Sequence, residues 1–149
     1  MRLTTLKLKN FRGYRGETVV GFDDLTAFVG KNDVGKSTIL EALDIFFNDK
    51  NSVAKIEKGD INKQSQQDGD TDICISACFS ELPERIVIDS SNETSFSAEY
   101  LLNESSELEI VKKYPNGGTA KVYVRANHPK KSDVLRFAVK NKRRTQEVA

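Results

Sequence analysis

Gly30 and Gly35 stand five positions apart in the stretch FVGKNDVGKSTILEAL (28–43), and Lys36 and Ser37 follow directly. Gly-x-x-x-x-Gly-Lys-Ser is the Walker A spacing of a phosphate-binding loop. The chemistry needs it because a strand must turn sharply into a helix while its backbone N–H groups converge on one concave nest. Gly30 can take the unusual dihedrals of the strand exit, and Gly35 lets an anion approach the backbone where a Cβ would stand in the way. Amides at the start of the helix then meet the anion with the positive end of the helix dipole. Lys36 is expected to reach the β and γ phosphates of a nucleotide and is the candidate catalytic residue. The Ser37 hydroxyl is expected to ligate Mg²⁺. Asn32, Asp33, Val34 and Thr38 complete the candidate binding set, whereas Lys31 reads as a solvated loop lysine.

The elements around the loop are those the motif requires. Leu3, Leu6 and Leu8 recur among Thr and Lys, and Thr18, Val20 and Phe22 alternate in ETVVGF, so two antiparallel strands are expected on either side of RGYRG. LTAFVG (25–30) is mostly apolar, the pattern of a central strand buried on both faces. From Gly35 the period changes: Ile39, Leu40, Leu43, Phe46 and Phe47 share one face of a helix expected over 36–47. Residues 48–72 are polar, and DINKQSQQDGDTD reads as a long surface loop. Strands are expected at 72–79, 85–89 and 95–102, and ELEIVKKY and AKVYVRA flank PNGGT. There Asn116 and Gly117 offer the positive φ of a tight hairpin turn. After Pro129, Val134, Leu135 and Ala138 fall at helical spacing, with Ser132 as a candidate cap of a last helix.

The 149 residues fit one domain or one lobe of a larger ATPase. Net charge of +1 names no partner, but residues 129–149 carry seven Lys/Arg against Asp133 and Glu147. That basic cluster fits contact with nucleic acid or a solvated helix face. The N-terminus lacks an apolar signal core and no stretch approaches a membrane span, so the chain reads as cytoplasmic. Cys74 and Cys78 lie four apart in a strand, about 13 Å at roughly 3.3 Å per residue, too far for a disulfide. With His128 as the one histidine, a zinc site is not expected, and both cysteines read as reduced core residues.

LKLKNFRGYRGETVVGF followed by LTAFVGKNDVGKSTILEALDIFF resembles the N-terminal lobe of ABC-type ATPases of the SMC/RecF group, and within it the OLD (overcoming lysogenization defect) ATP-dependent nucleases. The resemblance is strong over residues 1–47 and general to about 128. It implies an α/β P-loop NTPase fold: a phosphate-loop core (1–50), a polar loop (51–72), a β-rich, largely antiparallel part (73–128) and a basic, helical tail (129–149). It implies ATP and Mg²⁺ as cofactors, an ATP-sandwiched homodimer of the complete protein, and DNA or a partner protein as further contacts. The Arg12 position lies near the nucleotide in that group, as a guanidinium beside phosphate is a strong bidentate donor. The alternative, a surface arginine after a strand, is the less favoured reading.

Hydrolysis needs more than a cradle, and RIVIDSS offers only Asp89 as a strand-end acid with serine where a glutamate should follow. No signature motif is evident, and Gln64, Gln66 and Gln67 cannot be ranked as metal-sensing residues. Glu104, Glu107 and Glu109 read as a solvated strand face rather than a metal site for a nuclease. Two functions stay open: the ATP-binding lobe of an ATPase regulating DNA processing in repair or anti-phage defence, and a nucleotide-binding assembly module without turnover. A P-loop kinase or GTPase is a third reading, against which the chain has two strands before the loop and no Asn-Lys-x-Asp motif.

Overall fold

The computed structural model describes residues 1–31, 35–89, 92–128 and 131–137. Strand β1 (Arg2–Lys9) pairs antiparallel with β2 (Thr18–Gly21), as the alternation predicts. Helix α1 (Lys36–Asn48) follows the phosphate loop, and a short α2 (Lys63–Gln67) precedes β3 (Ile73–Ser80). Strands β4 (Ile86–Asp89) and β5 (Asn92–Thr94) form a separate hairpin. Then come β6 (Leu108–Tyr114), β7 (Lys121–His128) and β8 (Lys131–Phe137). The main sheet has six strands in the order β2-β1-β3-β6-β7-β8, and every pair is antiparallel.

One face of this sheet and the apolar stripe of α1 make the core. Leu6, Leu8, Ile75, Ala77 and Phe79 meet Ile39, Ala42, Ile45 and Phe46, all buried. Phe46 and Phe47 both stack near Phe79, at 6.5 and 6.1 Å between ring centroids, and the Lys112 ammonium lies 5.3 Å from the Phe46 ring. Burial of side chains of this size contributes roughly 1.5–3 kcal/mol each, so the sheet fixes where α1 begins. At the β6–β7 turn Asn116 and Gly117 take φ of 51° and 65°, the left-handed geometry expected of them.

Five expectations are corrected. Residues 25–30 form no strand: Leu25 and Val29 are 90% and 92% exposed, and only Thr26 and Phe28 turn partly inward, Phe28 against Phe22. Apolar composition alone cannot make a strand without a neighbouring ladder. Residues 95–102 are turn and irregular chain, with Phe96 and Leu101 packed on the core in place of strand alternation. The helix expected after Pro129 with Ser132 as cap is instead β8 over Lys131–Phe137, paired with β7; a short apolar run satisfies both periods and the free edge of β7 decides. Residues 138–149 lie outside the described residues.

The fourth correction concerns 48–72, which holds ordered structure. Ile61 is buried and bridges Phe11, and the Ser65 amide donates to the Asn62 side chain that caps α2. Glu109 likewise departs from a solvated face: it is 2% exposed, with Lys7 Nζ 3.0 Å from Oε2 and Arg125 Nη1 3.1 Å from Oε1. Cys74 and Cys78 are free thiols, as expected.

Candidate functional site

Gly30 has φ +150° and Gly35 φ +78°, so both occupy the region the motif reserves for residues without a Cβ. Lys36, half-buried at the start of α1, folds back into the loop. Its ammonium donates to the Gly30 carbonyl oxygen at 2.5 Å and to that of Lys31. A Cβ on Gly30 would stand 3.6 Å from the same ammonium. Ser37 is exposed and Thr38 half-buried in the first turn of α1, which contains no acidic side chain. Among the described residues, no acidic side chain of that turn offsets the positive end of the α1 dipole. Asn32, Asp33 and Val34 lie outside the described residues.

The β1–β2 turn closes over this helix start. Asn10 and Arg12 both have positive φ, 57° and 50°. Asn10 is 1% exposed; its Nδ2 donates to the Asp72 carbonyl oxygen at 3.2 Å, and its Oδ1 accepts from Ser65 Oγ at 2.7 Å. Phe11 is buried and exchanges backbone hydrogen bonds with Tyr14 at 3.0 and 2.9 Å. The Tyr14 hydroxyl donates to the Gly35 carbonyl oxygen at 3.3 Å.

Arg12 is ion-paired rather than free. Its Nη1 lies 2.5 Å from Glu41 of α1, its Nε 2.9 Å from Asp60, and its guanidinium carbon 5.0 Å from the Phe11 ring. Burial lowers the guanidinium pKa, but the hydrogen bonds it donates to Asp60 and Glu41 outweigh it and the net direction is up. The turn and α1 are thus tied together by the residue expected beside the nucleotide. Asp60, Glu41 and Tyr14 were not legible as site residues. Tyr14 is an aromatic in the very turn that carries Arg12, the one local signal present; Asp60 comes from 48 residues away.

The other sequence candidates do not converge here. Asp89 ends β4 in the separate hairpin, and Gln64, Gln66 and Gln67 belong to α2. Among the described residues no cluster of His, Cys, Asp and Glu has the arrangement of a metal site. No helix among them is long and apolar enough to cross a membrane.

The model of the AAA ATPase domain family matches residues 1–147, nearly the whole chain. The chain belongs to that family. This AAA ATPase domain is also 38% identical over 52 residues to structural maintenance of chromosomes protein 1 of Schizosaccharomyces pombe, covering 34% of the chain and 4% of the relative. The corresponding Caenorhabditis elegans protein is 35% identical over 57 residues, covering 38% and 4%. The AAA ATPase domain thus spans a small fraction of the length of these relatives. A solved structure from work on the ATP-driven dimerization and DNA-stimulated activation of SMC ATPases matches with a TM-score of 0.55 at 18% identity. It covers 90% of this chain and 72% of its own. The AAA ATPase domain therefore has the P-loop fold of an SMC ATPase head.

Proposed function

We propose that the chain is the ATP-binding lobe of an ABC-type ATPase. Gly30, Gly35, Lys36 and Thr38, together with Asn32, Asp33 and Val34, would hold the triphosphate, and Ser37 would ligate Mg²⁺. The observation that carries this reading is the Lys36 ammonium inside the loop, on the Gly30 carbonyl and behind a left-handed Gly35. An incoming phosphate offers that ammonium a full negative charge in place of neutral carbonyls. Bound Mg-ATP supplies a scissile γ-phosphate. This chain's residues orient it through backbone amides and the Lys36 charge, while Arg12, released from Glu41, reaches toward the phosphates.

The finer reading is an OLD-like protein in which this lobe regulates DNA cleavage in repair or anti-phage defence, acting as an ATP-sandwiched homodimer in the cytoplasm. It rests on residues 1–47 and the basic cluster after Pro129. The related structure's ATP-driven dimerization and DNA stimulation support dimer and DNA as contacts. Affinity for DNA is then expected to fall steeply with salt.

The exposed Leu25 and Val29 favour a second reading, a nucleotide-gated assembly module. An apolar segment leading into the phosphate loop calls for strands from elsewhere in the protein or a partner, and these would bring the acid that orients water. Mg-ATP binding and hydrolysis measured together separate the two: turnover abolished by Lys36→Ala supports an active lobe, and binding without turnover supports the module. Absence of binding overturns both.

A further inference from the structure

We infer that Tyr14 is a positioning residue of the phosphate loop, its hydroxyl holding the Gly35 carbonyl so that the amides opening α1 stay aimed at a polyphosphate. The inference rests on the ATP-binding reading and adds to it a residue outside the Gly-x-x-x-x-Gly-Lys-Ser motif. The Gly35 carbonyl oxygen accepts the Ile39 N–H at 3.2 Å, the opening bond of α1, and the Tyr14 hydroxyl at 3.3 Å. That carbonyl shares a rigid peptide plane with the Lys36 N–H. Fixing the oxygen therefore fixes the direction of the amide, and hydrogen bonds on the oxygen polarise the N–H toward an anion.

The tyrosine is itself anchored. Its backbone exchanges two hydrogen bonds with buried Phe11, Phe11 bridges Ile61, and the turn is tied to Asp60 and Glu41 through Arg12. The ring also fills the space beside the loop: a Cβ on Gly35 would stand 2.7 Å from the hydroxyl oxygen and 3.2 Å from the ring carbon bearing it. Gly35 is thus required twice, by its φ and by Tyr14.

The test is the affinity of the chain for Mg-ATP and for magnesium tripolyphosphate, with Tyr14→Phe and with Lys36→Ala as control. Tyr14→Phe keeps the ring and removes only the donor. Weakening of both ligands by the same factor, about three- to tenfold, supports the inference. Unchanged affinity for both overturns it, as does a loss confined to ATP, which would place the hydroxyl against the nucleoside instead of the Gly35 carbonyl. If the unaltered chain binds neither ligand, the ATP reading fails and this inference with it. If it binds both and Lys36→Ala loses both, that reading stands whatever Tyr14 does. Should Tyr14→Phe fail to fold, 3-fluorotyrosine at position 14 replaces it: a ¹⁹F shift on adding tripolyphosphate supports the role, and an unmoved signal overturns it.

Discussion

Arg12 is bound twice to Asp60: its Nε lies 2.9 Å from the carboxylate, and its backbone N–H donates to the Asp60 carbonyl oxygen at 2.6 Å. The same guanidinium reaches Glu41 on α1. One side chain therefore joins the β1–β2 turn, the segment before α2 and the helix that begins at the phosphate loop.

Arg12→Ala is expected to lower stability by about 1–2 kcal/mol, since the pairs are charged hydrogen bonds but stay partly open to solvent. If the guanidinium also serves the phosphates, Mg-ATP affinity falls as well. Asp60→Asn is expected to lose stability while keeping affinity. Chemical denaturation and calorimetric titration on the two variants separate the roles; equal loss of affinity in both would reduce Arg12 to a structural tie.

Asn10→Ala is expected to cost more, about 2–4 kcal/mol. The position has positive φ, which a side chain with a Cβ alone adopts at a penalty. Removing the amide also leaves the hydroxyl of buried Ser65 with only its long 3.5 Å contact to Asn62 Oδ1. A melting temperature within a degree or two of the unaltered chain would contradict this account of the turn.

Cys78 provides the pH dependence. Burial, with the Glu109 charge added, pushes its thiol from 9.0 up to about 11. A folded-state value raised above the unfolded one contributes stability that is complete below the unfolded pKa and is lost as pH rises through the folded one. Stability is thus expected to fall between pH 9 and about 11, and Cys78→Ala to flatten part of that limb. In the native chain at pH 8 the Cys78 thiol is expected to resist alkylation until denaturant is added. Rapid native-state modification would contradict the burial of β3.

Much of the candidate site's backbone geometry was legible because it is local. The phosphate loop, the helix after it and the Asn116–Gly117 turn each depend on residues within one short window, where φ requirements and period leave a clear imprint. What was not readable depends on partners distant in sequence. Val134 and Leu135 fit helix or strand until β7 offers an open edge. Leu25–Gly30 looks like a buried strand until the absence of a ladder leaves Leu25 and Val29 in solvent. Glu109 looks solvated until Arg125, directly across on β7, and Lys7, two strands away on β1, enclose it. The clamp on Arg12 is of the same kind, since nothing near residue 12 announces Asp60.

The measurement that tests the central claim most directly is calorimetric titration of Mg-ATP into the chain and into Lys36→Ala, with thermal melting of both as a folding control. The account predicts binding by the unaltered chain and none detectable in a variant whose melting temperature is preserved, since among the described residues the Lys36 ammonium hydrogen-bonds to loop carbonyls. Equal affinity in a folded Lys36→Ala variant would contradict it.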